Sequence, residues 1–303
     1  MDSVRKIEMK QGNSSENPLG ARKIMEEKEV QNAGLARINA KELEELFISR
    51  FEKNFHEFRP FGQVFHPLEQ TFYSANASNN EGYRSNSYRK IIDLMKKHKL
   101  FDRNILEEMP LQEISRFEIY RKSLFGKATP KVVVAAICVN PLEDLLLGKA
   151  PSPLGAKEIE EGVQKVVREK NVYYYIGIGS TSGWEEKVWS QDFKGVNWIC
   201  GILEPVEGSY WKKRFPDPDN WYGLEPVFDP EMDSEKLERC KGSIIHHPEL
   251  RLKGSHKLLD DLYREADVPE YIFVQALSEL LESYPEFEIK EISGKKILQK
   301  KRI

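Results

Sequence analysis

Residues 171–184 read NVYYYIGIGSTSGW, and the fold is decided by what leads into this stretch and what leaves it. Residues 172–176 and Ile178 favour β structure. They run into Gly177, Gly179 and Gly183, with the hydroxyls of Ser180, Thr181 and Ser182 between the last two. A buried strand that ends in a glycine- and hydroxyl-rich turn exposes backbone N–H groups where no side chain blocks approach, which suits a phosphate or a carboxylate. Upstream, residues 132–139 (VVVAAICV) form a continuous apolar run, the pattern of a strand covered on both faces. Between the two runs, Ile159, Val163, Val166 and Val167 recur at helical spacing along residues 156–170. Strand, helix and strand in this order predict a βαβ unit. A third run, residues 196–203 (VNWICGIL), follows a polar segment with Trp184, Trp189 and Phe193. Residues 131–250 are therefore read as an α/β domain with a Rossmann-like, parallel or mixed sheet.

On the N-terminal side, residues 1–36 are polar without sustained periodicity and read as a disordered or loosely helical arm, the disordered reading foremost. Residues 37–130 read as a helical region. Asn39 is placed to cap a helix carrying Leu43, Leu46, Phe47, Phe51 and Phe55, which ends before Pro60. Residues 60–86, rich in aromatic and turn residues, read as a long ordered loop. His56 and His66 fall in this neighbourhood and are expected to be structural, with no partner residue in view. Asn86 or Ser87 caps a second helix with Ile91, Ile92, Leu94 and Met95 on one side. A third is expected over residues 104–124, offset by Pro110 and closed by Phe125-Gly126 and Ala128-Thr129-Pro130.

On the C-terminal side, residues 205–250 carry Pro205, Pro216, Pro218, Pro226, Pro230 and Pro248 among tryptophans and tyrosines. They are expected to wrap the domain as an irregular cover. Residues 254–303 have a clearer order: a helix over 255–266 capped by Ser255, a second between Pro269 and Pro285, then two short strands around Ser293-Gly294, a two-residue hairpin turn. Helix, helix and basic hairpin resemble in architecture the C-terminal part of a winged-helix domain. No diagnostic family motif accompanies the resemblance.

The bulk properties narrow the function classes. The 303 residues are 40% apolar and 31% charged, with a net charge of −3, so no global charge draws the chain to nucleic acid or to an anionic membrane. No apolar run reaches the ~18–20 residues of a membrane helix, and the N-terminus lacks the apolar core of a secretory signal. A cytoplasmic protein with no membrane partner is expected. Cys138 and Cys200 lie inside apolar runs, and with Cys240 they make an odd count without C-x-x-C spacing, which argues against a disulfide framework and a four-cysteine zinc site. Cys240, His246, His247 and His256 match no zinc spacing, so no metal site is expected.

The glycine stretch meets four known patterns and satisfies none. Gly177-x-Gly179-x-x-x-Gly183 is one residue longer than the dinucleotide fingerprint, although Glu204 lies at about the distance of its ribose-binding acid. The Gly-Lys-Ser/Thr ending of a P-loop is missing. Gly179-Ser180-Thr181-Ser182-Gly183 places threonine where a nucleophile elbow needs serine. Tyr175-Ile176-Gly177 is half of the GIY-YIG nuclease signature, without its partner strand. What remains is a ligand-binding turn made of Gly177, Gly179, Ser180, Thr181, Ser182 and Gly183, with a tight structural turn as the alternative. On the ligand reading, Gly179→Val abolishes binding and leaves the fold intact. Glu185, Glu186 and Glu204 are the acids near enough to act as base or to hold Mg²⁺, so they are the candidate catalytic residues.

Local basic density supplies the partners. Between residues 84 and 103, Arg84, Arg89, Lys90, Lys96, Lys97, Lys99 and Arg103 stand against Asp93 and Asp102. The C-terminal end carries Lys295, Lys296, Lys300, Lys301 and Arg302. These suit DNA or RNA phosphates, with Arg89, Lys90, Lys96, Lys97 and the tail cations as the contacts. The helix between Pro269 and Pro285 has Glu270, Glu279 and Glu282 and no basic residue, so the hairpin rather than the helix would meet phosphate. A protein partner or a homodimer through the same module is the other expectation. The sequence reading is a nucleic-acid-associated, regulatory protein with a phosphate- or nucleotide-type ligand site in its sheet. A metal-dependent nuclease or other phosphate-processing enzyme is the alternative, and a protein-interaction scaffold the third. The cofactor is unknown.

Overall fold

The computed structural model describes residues 18–76, 80–121, 129–206 and 210–301, with side chains from residue 32 on. A long helix α1 (Pro18–Phe58) leads into a hairpin of β1 (Gln63–His66) and β2 (Thr71–Ser74) and then β3 (Asn80–Ser85). Helices α2 (Tyr88–His98) and α3 (Arg103–Glu108) precede β4 (Ile114–Tyr120) and β5 (Pro130–Val139). Helices α4 (Leu142–Leu146) and α5 (Ala156–Val166) lead to β6 (Tyr173–Ser180), and β7 (Phe193–Lys194), β8 (Trp198–Val206) and β9 (Tyr210–Arg214) complete a mixed seven-stranded sheet. After two 3₁₀ turns come α6 (Asp233–Ile245), β10 (His256–Leu258), α7 (Leu259–Ala266), α8 (Glu270–Ser283), β11 (Phe287–Ile292) and β12 (Lys295–Lys300).

The large sheet has the order β3-β4-β5-β6-β8-β7, and β9 also pairs with β8, beyond β7 along the same edge. Strands β5, β6 and β8 are mutually parallel and the flanking pairs are antiparallel. The continuous apolar run of β5 follows from its position. Val132, Val134, Ala136 and Cys138 pack in the layer under α1, and Val133, Ala135, Ile137 and Val139 in the layer under α5. Alternate residues thus enter opposite cores, so both parities must be apolar.

On the α1 face the sheet is bare at its centre. Tyr173 and Tyr175 point into that layer, and the next two positions of the same row are Gly177 and Gly179. A Cβ at Gly177 would lie 2.3 Å from the Phe228 ring, and one at Gly179 would lie 2.9 Å from the Phe47 ring. Gly201 of β8 is the register partner of Gly177, and a Cβ there would lie 2.3 Å from Phe215. Three aromatic rings therefore rest on three glycines. Phe47 also stacks on Trp211 at 5.7 Å, Phe51 on Phe228 at 5.4 Å, and Phe55 on Phe117 at 4.0 Å. Offset contacts of this kind add to the burial of the rings themselves.

Several expectations need correction. Helix α1 is continuous from Pro18, so Asn39 is no N-cap, and residues 18–36 follow the helical and not the disordered reading of the arm. Proline suits a first helical turn, and the helix formers after it lack only the apolar stripe that periodicity detects. Residues 1–17 of the arm lie outside the described residues. Residues 37–130 are not wholly helical: the loop over residues 60–86 contains β1, β2 and β3, and residues 114–120 are strand. In β4, Phe117 and Ile119 are buried while Arg116, Glu118 and Tyr120 are half-buried, a period of two that a helical reading cannot hold. Phe125, Gly126 and Ala128 fall outside the described residues. The cover over residues 205–250 contains β9 and α6, whose Lys236, Cys240 and Ile244 are buried at a spacing of four. Ser255 caps no helix, because residues 256–258 pair with β12.

The expectations for the βαβ order, the parallel pairing and the Ser293-Gly294 turn match the structure. Both turn residues have positive φ, at 52° and 77°, as a two-residue hairpin of matching twist requires. The prediction from the bare sheet is the reverse of the ligand expectation for Gly179. Gly177→Ala and Gly179→Val should each lower the unfolding free energy by about 1–3 kcal/mol through overpacking, read as a shift in urea midpoint. Unchanged midpoints in both variants would remove the packing role.

Candidate functional site

Open α/β sheets bind ligands beyond the carboxyl ends of their parallel strands. Here that edge is formed by Asn140 after β5, residues 181–183 after β6, and Glu204 near the end of β8. The best-formed anion receptor at this edge is filled by the chain itself. The Glu44 carboxylate of α1, 1% exposed, accepts the backbone N–H groups of Leu111 (2.8 Å), Gln112 (3.1 Å) and Glu113 (3.2 Å). The Asn140 amide donates to it as well, and the Thr181 hydroxyl donates to Asn140 Oδ1. Gln112 Nε2 closes the cluster on the Asn140 carbonyl at 2.9 Å. Burial pushes the Glu44 carboxyl up to about 7, with the Glu113 charge adding to it, against the opposing pull of the backbone donors.

The glycine stretch divides. Gly177 and Gly179 lie within β6 under aromatic rings and present nothing to a ligand. Ser180 is fully buried and its hydroxyl donates to the Gly183 carbonyl at 2.9 Å. Thr181, Ser182 and Gly183 form the turn proper, and none of their backbone N–H groups donates to another described residue. Gly183 has φ +83°, a conformation that favours glycine. Acids surround this turn. Glu204 accepts the Trp184 N–H at 2.6 Å, and its carboxylate would lie 3.1 Å from a Cβ at residue 183. Burial raises the Glu204 pKa, opposed by the Trp184 N–H and by Lys212, whose Nζ is 3.9 Å away. Glu185 pairs with Lys187 at 2.7 Å, and Glu186 is exposed. The candidate catalytic acids therefore fall near the turn without converging. Among the described residues, no three His, Cys, Asp or Glu side chains are grouped to hold a metal ion.

A second cluster was not legible in the sequence. Between α1 and the C-terminal unit lies a cleft of about 1020 Å³, and Asp229 stands at its wall. Asp229 Oδ2 meets Lys213 Nζ at 2.8 Å and Lys236 Nζ at 3.0 Å, while Oδ1 accepts the Glu231 N–H at 3.1 Å. Burial alone would raise this carboxyl, yet the two lysines hold it below the ordinary value. Asn54 of α1 donates to the Asp229 carbonyl at 2.7 Å, and Glu231 pairs with Arg239 of α6 at 2.9 Å. A carboxylate held by two ammonium groups and a backbone N–H is a poor base. This cluster ties α1, β9 and α6 together. No local spacing announces it, since its members come from four separate segments.

The basic residues are mostly neutralised. Arg84 pairs with Glu113 and with Glu52, Lys96 with Asp93 (3.9 Å), Lys97 with Glu143 (2.8 Å) and Arg103 with Glu107 (2.8 Å). Arg89 and Lys90 are exposed and have no acidic partner within ion-pair distance among the described residues. On the hairpin, Lys295 and Lys296 are equally free, Lys300 lies 5.4 Å over the Phe287 ring, and Lys301 donates to the Pro285 carbonyl at 2.7 Å. Arg302 lies outside the described residues. His56 stands edge-on to Phe117 at 5.4 Å, and buried His66 accepts the Glu69 N–H through Nδ1 at 3.1 Å, so both serve packing. Comparison with known proteins adds no assignment: no family model, curated protein or solved structure matches the chain.

The Glu44 receptor predicts a stability phenotype. Glu44→Ala strands buried donors and should lower the unfolding free energy by about 1–3 kcal/mol. The folded-state pKa, about 7, lies above the ordinary 4.5, so the folded protein binds this proton more tightly than the unfolded chain does. Its contribution is fully present at pH values below 4.5 and is lost as pH rises through 7. Urea titrations at pH 5 and pH 8 should therefore show wild type gaining on Glu44→Gln at the lower pH. A difference independent of pH would mean that Glu44 stays ionised throughout.

Proposed function

We propose that this is a nucleic-acid-associated protein that meets backbone phosphates through its C-terminal unit. The supporting observation is the order α6-β10-α7-α8-β11-β12 with the sheet order β10-β12-β11, which suits a winged-helix reading in which residues 292–295 would be the wing. Lys295 and Lys296 stand on the wing without acidic partners among the described residues. Helix α8, in the place of a recognition helix, offers Tyr271, Val274, Gln275 and Ser278 to solvent and no cation, and Gln275 donates to Glu279. That face favours phosphate contact by the wing over base reading in a groove. The contact would be salt-sensitive and tolerant of sequence.

A ligand at the sheet would meet the N–H groups of Thr181, Ser182 and Gly183 as donors and Glu204 as acceptor. This pairing suits a hydroxyl- or amide-bearing group better than a dianion. The Rossmann-like reading has less behind it. The parallel strands advance in one direction, β5, β6, β8, with α5 and the 184–193 segment in the same core layer, so no reversal of order opens a crevice. A regulatory protein-interaction role is the second reading, favoured by the exposure of Tyr271 and Val274, each 58%.

Fluorescence anisotropy with labelled duplex DNA, single-stranded DNA and RNA across a salt series tests the reading. Binding should fall steeply with salt, and the Lys295→Gln/Lys296→Gln pair should lower the log–log slope by ~2. Absence of binding by wild type at low salt would overturn the nucleic-acid reading. Tyr271→Ala/Val274→Ala should leave nucleic-acid binding unchanged.

A further inference from the structure

Two apolar cores lie side by side without merging. The core under α1 takes its last residue at Phe228, and the core of the C-terminal unit takes none before Leu237. The sheet β10-β12-β11 is likewise separate from the seven-stranded sheet. Among the described residues, no backbone hydrogen bond joins residues up to 228 to residues from 233 on.

What crosses the joint is charge. Lys236 of α6 and Lys213 of β9 meet the same oxygen of Asp229, at 3.0 and 2.8 Å. Arg239 of α6 donates to both oxygens of Glu231, at 2.9 and 3.1 Å, and lies 4.6 Å over the Tyr210 ring of β9. Arg50 of α1 reaches Glu235 at 3.9 Å. These contacts fall in the first two turns of α6 and in residues 229–232, which lead into it. Asp229 and Glu231 are buried under the side chains that hold them. Beyond this point the chain leaves the cleft of about 1020 Å³, lined by Lys53 and Phe58 of α1 together with Tyr263 of α7 and Tyr271 of α8. Parts of a chain that share no large apolar interface are free to move relative to one another. A short ionic joint beside an open cleft is the geometry of a hinge with a latch.

We propose that residues 229–232 are a hinge, latched through Asp229 and Glu231, about which residues 233–301 move as a separately folding body to widen or narrow the cleft. Without the Asp229 charge, Lys213 and Lys236 would face each other across a neutral group, and opening the joint would return both to water. The inference goes beyond the nucleic-acid reading and holds whatever the unit binds.

The test uses the full chain. All five tryptophans lie between residues 184 and 221, so their fluorescence reports the large sheet alone, whereas far-ultraviolet circular dichroism also counts α6, α7 and α8. Urea unfolding of wild type should give two transitions by dichroism and one by fluorescence, because two cores that share no residues melt separately. The latch is read by the distance between spin labels at Ser190→Cys and Ser278→Cys, both exposed positions, the three native cysteines being buried. That distance should be narrowly distributed in the otherwise wild-type chain and broad in Asp229→Asn, with the fluorescence transition retained. Coincident fluorescence and dichroism curves in wild type would overturn the hinge, and so would a distance as narrow in Asp229→Asn as without it. Should Asp229→Asn fail to fold, Glu231→Gln loosens the other half of the latch and takes the same distance measurement. The comparison of the two unfolding curves needs no variant.

Discussion

The close approach of α1 to the large sheet is the constraint on which the other parts depend. Phe47 can sit over Gly179 and Phe228 over Gly177 only because strand β6 has no side chains there. Gly201, the register neighbour of Gly177, widens the same bare patch for Phe215. With the aromatic layer lowered onto the backbone, Phe51 reaches Phe228 and Phe47 reaches Trp211, so helix, strand β9 and the 225–228 turn share one core. The depth of that docking brings Glu44, four residues before Ile48, down to the N–H groups of residues 111–113. A buried carboxylate in such a place is tolerated because its acceptors are all supplied with donors.

This explains why the glycine stretch reads two ways in sequence. Glycines that admit a ligand and glycines that admit a phenyl ring are the same residues in a one-dimensional text. The partner that distinguishes them, Phe47 or Phe228, lies about 130 residues upstream in one case and about 50 downstream in the other, and no local pattern links them. Only Gly183, at positive φ and outside the strand, keeps the turn role that its spacing suggests.

Legibility elsewhere follows the same division between local and distant causes. The β5–α5–β6 unit was readable because each strand is covered on both faces, which forces apolar residues at both parities, and because α5 carries its stripe at i, i+4 and i+7. The final hairpin was readable from Ser293-Gly294 alone. Strand β4 was not, since ISRFEIY is short and follows a helix-like segment through Pro110. Strand β10 has three residues, and its structure is given by β12, more than thirty residues further on. The N-terminal half of α1 has helix-forming composition without a stripe, a kind of helix that periodicity cannot see. Of the six residues expected to make the turn, Thr181, Ser182 and Gly183 form it while Gly177, Gly179 and Ser180 belong to β6, and the Asp229 cluster was missed because its charges come from β9, α6 and the turn between them.

Charge placement then separates structure from function better than charge density does. The run of cations between residues 84 and 103 looks like a binding stripe, yet Arg84, Lys96, Lys97 and Arg103 each meet an acid brought by another turn or another element. Exposed pairs of this type contribute little to stability, but they remove the net field that would steer a polyanion. The positions that matter for recognition are those the fold leaves unmatched. On the final hairpin, exposure leaves Lys295 and Lys296 open at little cost, because water solvates them. Lys165 differs in that it is half-buried and bonded to the Gln112 amide oxygen at 3.2 Å, so burial itself works against its charge. A solvated cation contributes steering and salt dependence, whereas a partly desolvated one gains more from each contact because its surroundings screen less. Under the nucleic-acid reading, the exposed cations of the final hairpin would therefore set the rate and salt sensitivity of encounter.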